Sequence, residues 1–396
     1  MKITPRFAVI TLVFFYLFSP LFAQETRPIE PKLEEIKAKF APDSRLELFD
    51  VLLDNANVFV ETTSENAKEA VLALAQEYPN YEIKAALYPQ ENQELDGKWR
   101  ALVNYSTIQI QKKPDFTSEW STQALMGAPV RILKKSSGYW IMIQNSDGYI
   151  GYTTSGSVSP MTEAEFAQWR ESKRLIWLEN TGVVYAEPSL GAQTISDLVA
   201  GNVLVWKNEE TQNGFRRVET PDGRQGWISE QGSQEWREWL ASRELTGDNL
   251  VASARRLIGR PYVWGGTSTK GVDCSGMVNV AFMANGYNIL RDVSQIRREG
   301  IDVDISQGWK NFQPGDLLIF GERRANGVTF WRHVGIYIAD GRFIHSASLV
   351  HESSLDPESP DYDPGNARQL IKVVRMIGAP ETEYFHPISK NKFFEM

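Results

Sequence analysis

Between about residues 111 and 240 the chain repeats itself, and that repeat limits what its middle third can become. Gly127 corresponds to Gly201, and Asp147-Gly148 to Asp222-Gly223, at offsets of 74 and 75 residues. In each copy an alternating strand (130–133 or 203–206) leads to a Gly-aromatic pair, Gly138-Tyr139 or Gly214-Phe215. A further strand, an Asp-Gly turn and a Gly-aromatic strand follow, Gly151-Tyr152 in one copy and Gly226-Trp227 in the other. Each copy closes on an amphipathic stretch, around Trp169 or Trp236. Period-two alternation broken by Asp-Gly hairpin turns builds small antiparallel β-barrels, here one per copy.

The last third carries the chemistry. Cys274, the only cysteine, lies in Pro261-Tyr-Val-Trp-Gly-Gly-Thr-Ser-Thr-Lys-Gly-Val-Asp-Cys-Ser-Gly-Met-Val, a glycine-rich loop running into an apolar helix over 275–283. Asp248 is the expected cap of an earlier helix over 248–257. Strands are expected at 317–320, 334–338 and 342–344, the last two joined by Asp340-Gly341, so helices precede antiparallel strands in an α+β pattern. His333 stands where one strand begins, after an irregular loop, and His345 just after the next. A thiol opening a helix, with imidazoles on neighbouring strands, is the equipment of a cysteine nucleophile. The helix end and an imidazole lower the thiol's pKa, a second imidazole orients the first, and nearby backbone N–H groups face the oxyanion. His351 and His386 lie in polar or terminal segments and read as solvated. One Cys and scattered His do not make a metal site, and no cofactor is expected.

At the other end, Lys2 and Arg6 precede an apolar run over 7–18, and Leu21-Phe-Ala23 fits a cleavage site. We expect 1–23 to be an export signal, with a periplasmic or secreted product, soluble and monomeric, without a membrane span. The formal charge of −8, or −10 without Lys2 and Arg6, argues against a nucleic-acid partner. Residues 28–43, with Pro28, Pro31 and Pro42, read as a linker. A helix over 65–77 capped by Ser64 and strands at 81–88 and 99–110 suggest a small α/β unit.

The strand-and-turn order of the repeat resembles the bacterial SH3-like (SH3b) domain, present twice. Asp273-Cys-Ser-Gly276, Pro314-Gly-Asp-Leu317, His333-Val-Gly-Ile-Tyr-Ile338 and Phe343-Ile-His-Ser346, in that order, resemble the NlpC/P60 family of papain-like cell-wall peptidases. Arg291-Asp292-Val-Ser294-Gln295 resembles the family's stretch between Cys and His. The expected fold is thus multidomain: signal 1–23, linker and small α/β unit 24–110, SH3-like barrels 111–172 and 173–243, and an α+β papain-like NlpC/P60 domain over 244–396. The layout is similar to the γ-D-glutamyl-L-diamino acid endopeptidases.

That resemblance implies Cys274 as nucleophile, His333 as base and His345 as orienting residue. It implies peptidoglycan stem peptides or free muropeptides as substrates, with a free N-terminal L-Ala preferred. Asp273 before the Cys, with Glu119 and Tyr149 from the first barrel, would hold the ammonium group, while Tyr262, Trp264, Ser275 and Ser294 shape the cleft. Two other readings stand beside it: a wall-binding protein with an inert peptidase domain, and acyl transfer on the same scaffold.

Overall fold

The computed structural model of the chain describes residues 27–395, and the expected export segment lies outside the described residues. The tract 28–43 is not a linker but helix α1 (Glu30–Phe40). Pro31 stands in its first turn, where a missing N–H costs nothing, and Ile29 and Leu33 are buried in one cluster with Val58 and Val60. Strands β1 (Phe49–Asp54) and β2 (Asn57–Thr62) form a hairpin. Helix α2 (Glu65–Glu77) then crosses over to β3 (Glu82–Leu87), which pairs parallel to β2. Ser64 caps α2 as expected, accepting from the Ala67 N–H at 3.3 Å. The α/β unit is present, but it ends soon after β3 rather than at 110.

The strands read at 99–110 belong to the next sheet. They are β4 (Arg100–Val103) and β5 (Thr107–Gln111), and they join β6 (Trp120–Leu125), β7 (Pro129–Lys135), β8 (Trp140–Gln144), β9 (Ile150–Thr154) and β10 (Val158–Met161). Their order is β6-β5-β9-β8-β7-β4-β10, all antiparallel. The boundary expected at 111 moves to about residue 99 because Ala101, Val103, Ile108 and Ile110 share a core with Val130, Ile132 and Ile143. Helix α3 (Glu163–Glu171) follows, carrying the buried Trp169.

The second copy contributes β11 (Arg174–Trp177), β12 (Gly182–Tyr185), β13 (Thr194–Leu198), β14 (Val203–Gln212), β15 (Phe215–Glu219), β16 (Gln225–Ser229) and β17 (Ser233–Glu235). Their order, β13-β12-β16-β15-β14-β11-β17, repeats the first sheet strand for strand. The Asp-Gly turns join β8 to β9 and β15 to β16, with Gly148 at φ 88° and Gly223 at φ 84°, a backbone that glycine adopts without strain. Helix α4 (Trp236–Ala241) closes this copy on Trp236.

In the last part, helix α5 (Gly247–Arg255) is capped by Thr246, not Asp248: the Thr246 hydroxyl accepts from the Asn249 N–H at 3.2 Å. The short ribbon β18 (Thr267–Ser268) and β19 (Gly271–Val272) leads into α6 (Cys274–Ala284). Then come β20 (Tyr287–Asn288), α7 (Val293–Ile296), β21 (Ile301–Asp302), β22 (Leu317–Arg323), β23 (Thr329–Ala339), β24 (Arg342–Ala347), β25 (Leu349–Ser354), α8 (Pro364–Gln369) and β26 (Leu370–Arg375). The sheet runs β21-β26-β22-β23-β24-β25, antiparallel throughout. Helix α6 is apolar around most of its girth because it is buried, sharing a core with α5 residues Leu250 and Ala254 and sheet residues Ile319, Val334 and Ile344. At Gly276 only glycine fits, since a Cβ would stand 1.9 Å from the Gly266 carbonyl oxygen.

Two expectations about the histidines change. The segment 321–331 is no irregular loop: β22 and β23 continue as a hairpin out to Arg323 opposite Thr329, past a bulge between Phe320 and Gly321. His333 therefore lies inside β23, opposite Phe320, and His345 lies inside β24, opposite Gly335. Among the described residues no helix is long and apolar enough to cross a membrane.

Candidate active site

Cys274 is the first residue of α6, and Asp273 is the cap, accepting from the Gly276 N–H at 2.7 Å. The thiol is 7% exposed and lies against the backbone N–H groups of Ser275 and Val334, the latter next to His333. It opens onto a cavity of about 240 Å³ between the first seven-stranded sheet and the C-terminal part. Glu119, Tyr149, Tyr262, Trp264, Asp273, Ser275 and Ser294, each singled out in the sequence, line that cavity with Cys274. Lys112, Trp120, Ser121, Asp292, Val293, Trp331 and Arg332 line it too, and sequence reasoning had not named them for this role.

Behind His333 the strands stack imidazoles. His333 Nε2 is 2.7 Å from His345 Nδ1. His345 Nε2 is in turn 3.1 Å from His351 Nε2 and 3.1 Å from the Ser353 hydroxyl. His345 and His351 face each other because β24 and β25 pair them directly. His351 is therefore not a solvated bystander. Nor is His386, which is 9% exposed with Nδ1 3.3 Å from the Thr382 carbonyl.

Burial dominates the proton affinities here. It pushes the Cys274 thiol up to about 11, with the Asp273 charge adding to the shift; the Ser275 and Val334 N–H groups pull the other way without reversing it. It also draws His333 down to about 4 and His345 down to about 3. The sequence reading expected a helix end and an imidazole to lower this pKa; burial, the largest cause, raises it instead. Both groups are thus held toward their neutral forms, the thiol protonated and the imidazole unprotonated.

The same shifts give stability a direction with pH. Both imidazoles protonate at lower pH in the folded chain than in the unfolded one, so the unfolded chain binds more protons between about 6.5 and 4. Their contribution is undisturbed above pH 6.5 and is lost progressively as pH falls. Denaturant midpoints measured from pH 7.5 to 4.5 should fall less steeply for His345→Gln than for the natural chain; parallel profiles would refute the assignment.

Asp273 is committed on both oxygens. Oδ2 accepts from the Gly265 N–H at 2.9 Å and from Arg291 Nη2 at 2.5 Å, while Oδ1 accepts from Gly276 and from Arg291 Nη1 at 3.1 Å. Arg291, 2% exposed, also donates to the Ser275 hydroxyl at 2.8 Å and to Thr122 of β6 at 3.0 Å. An ammonium group bound at Asp273 would share its carboxylate with Arg291. Across the cleft, Glu119 accepts from the Trp264 indole N–H at 2.7 Å, and Lys112 donates to its other oxygen. The Tyr149 hydroxyl donates to Asp292 at 3.3 Å. The N-terminal unit braces this wall: Arg45 donates to Asp292 at 2.8 Å and to the Ser294 hydroxyl at 2.9 Å.

Residues 259–363 match the NlpC/P60 family, and residues 110–157 match the bacterial dipeptidyl-peptidase Sh3 domain. A γ-D-glutamyl-L-lysine dipeptidyl-peptidase of Bacillus cereus is 28% identical over 250 residues, 61% of this chain and 72% of that protein. Dipeptidyl-peptidase 6 of Lysinibacillus sphaericus is 27% identical over 286 residues, 70% of this chain and 98% of that protein. Among solved structures, an NlpC/P60 family protein from Bacillus cereus superposes with a TM-score of 0.59 at 23% identity, covering 70% of this chain and 99% of the other. That likeness bears on the fold.

Proposed function

Since the chain carries an NlpC/P60 domain behind a bacterial SH3 domain, we propose that it is an exported cysteine endopeptidase hydrolysing the γ-D-Glu–L-diamino acid bond of peptidoglycan stem peptides. We read the second seven-stranded sheet as a second SH3-like barrel and 1–23 as the export signal. The observation that carries the reading is Cys274 at a helix start, lining a cavity and lying against the Val334 backbone N–H, whose neighbour His333 is hydrogen-bonded to His345.

In this mechanism His333 takes the thiol proton as the Cys274 sulfur attacks the γ-carbonyl carbon. The oxyanion faces N–H groups at the start of α6 and the Tyr262 phenol. That phenol stays protonated because burial, then the Cys274 and Asp273 charges, hold it above its usual range. The tetrahedral adduct collapses, the C–N bond breaks, and the diamino acid's amine leaves with the proton from His333. Water, giving a proton to His333, then attacks the thioester and releases the γ-carboxylate and the thiol.

The Glu119 and Asp273 carboxylates and the Tyr149 hydroxyl all line the cavity, which supports selection of a free N-terminal amine. Capping that amine removes the positive charge that the Asp273 and Glu119 carboxylates would share with Arg291 and Lys112, and puts an apolar group against them. Mass spectrometry of digests of L-Ala-γ-D-Glu-diamino acid peptides is the test. The free peptide should yield L-Ala-D-Glu, and the N-acetylated one should react slower by on the order of a hundredfold. Equal rates would refute the amine selection, and an uncut free peptide the bond assignment.

A further inference from the structure

We propose that His351 is a positioning residue that fixes the tautomers of the buried imidazoles, leaving Nδ1 of His333 bare to receive the Cys274 proton. This rests on His333 being the base, as argued above. The argument starts at an atom that can only accept. His351 Nδ1 is 3.0 Å from the Leu349 carbonyl oxygen. A carbonyl donates nothing, so Nδ1 of His351 carries the hydrogen, and in the neutral ring Nε2 is a lone pair. That lone pair faces His345 Nε2 at 3.1 Å, so His345 Nε2 carries its hydrogen and Nδ1 is the acceptor. His345 Nδ1 then accepts from His333 Nε2 at 2.7 Å, and the remaining nitrogen of His333, Nδ1, is unprotonated. One backbone carbonyl thus sets three rings in series. The Ser353 hydroxyl, also 3.1 Å from His345 Nε2, accepts a share of the same N–H and leaves the direction unchanged.

The arrangement has a second consequence. His333 and His345 are held in surroundings that oppose charge, whereas His351 is only half-buried. When His333 gains the thiol proton, its Nε2 hydrogen can pass to His345 Nδ1 and the His345 Nε2 hydrogen to His351 Nε2. The positive charge then rests on the ring nearest solvent. Around this series, Asp363 at the start of α8 is the carboxylate whose field reaches both buried rings. Glu352, the next residue on β25, is held away by Arg255 at 2.8 Å and Arg342 at 3.0 Å.

Two measurements on the full chain test the proposal. The chain has four histidines, so ¹⁵N shifts of its imidazoles can be assigned. Hydrogen on His351 Nδ1, His345 Nε2 and His333 Nε2 is expected near neutral pH, and hydrogen on His333 Nδ1 would overturn the proposal without any variant. Second, iodoacetamide alkylates the sole thiol: an S–C bond forms, iodide leaves and the thiol proton goes to His333. His351→Phe, which cannot accept, should slow that reaction about tenfold at pH 7, while His351→Gln, whose amide oxygen accepts, should stay within about twofold of the natural chain. With peptide, the Phe variant should lose kcat and keep KM. Alkylation unchanged in His351→Phe, or equally slow in His351→Gln, would sink the idea. Alkylation needs no peptide, so the expected pattern in a chain that leaves the peptide uncut would count against the substrate reading alone.

Discussion

Cys274→Ala should abolish cleavage of the L-Ala-γ-D-Glu-diamino acid peptide, with turnover falling by roughly 10⁴-fold or more. The loss is that large because in the proposed mechanism the Cys274 sulfur forms the acyl intermediate. The thiol is small and at the edge of a core shared with Met277 and Val334, so its removal should move the thermal midpoint little. His333→Ala should come close to the same loss. His345→Gln should be milder, about tenfold, since an amide oxygen at that place still accepts the His333 Nε2 hydrogen now taken by His345 at 2.7 Å. Turnover surviving complete alkylation of Cys274 would remove the nucleophile, and His345→Gln proving worse than His333→Ala would reverse the two roles.

About half of the cavity wall was legible in the sequence. Residues as far apart as Glu119 and Ser294 line one cavity, while Lys112, Ser121 and Arg332, among others, were not singled out. What escaped were roles that depend on cross-strand register or on a distant partner. His351 sits in a polar stretch and looks like surface until β24 and β25 are paired, which sets it against His345. Arg291 was visible only as part of a motif; that it binds both oxygens of Asp273 follows from how α6 and the segment before α7 meet. The sense of the Cys274 shift was misjudged because a helix start is local information, whereas burial is supplied by β23 and the cavity walls.

The fold shows the same division. Ser64 and the helix it caps follow from local signals, and so do the Asp-Gly turns of both seven-stranded sheets. Boundaries depended on packing. Alternation in 99–110 marks strands without naming their sheet, and the core of Val130 and Ile143 claims them. The charged tract 28–43 hid a helix because Pro31 occupies a first turn and a sparse set of apolar residues, Ile29, Leu33, Ile36, Phe40 and Ala41, seats it.

Arg291→Met should be the most destabilising single change in the C-terminal part, by about 3–5 kcal/mol. Arg291 is buried with Asp273, and its side chain donates to Asp273, Ser275 and Thr122. Removing it leaves the Asp273 carboxylate in the interior with the Gly265 and Gly276 N–H groups and a long 3.4 Å contact from the Ser275 hydroxyl. It also cuts the Thr122 link that ties the first barrel to the cleft, so activity should fall along with stability. Asp273→Asn added to Arg291→Met removes the stranded charge while an amide oxygen can keep the helix cap, and should restore part of the loss. Calorimetry would read this as a midpoint roughly 10 °C lower for Arg291→Met, with the double variant in between. A double variant less stable than Arg291→Met would mean that the buried carboxylate is not the source of the cost, and the ion pair would lose its place as the anchor of the nucleophile's helix.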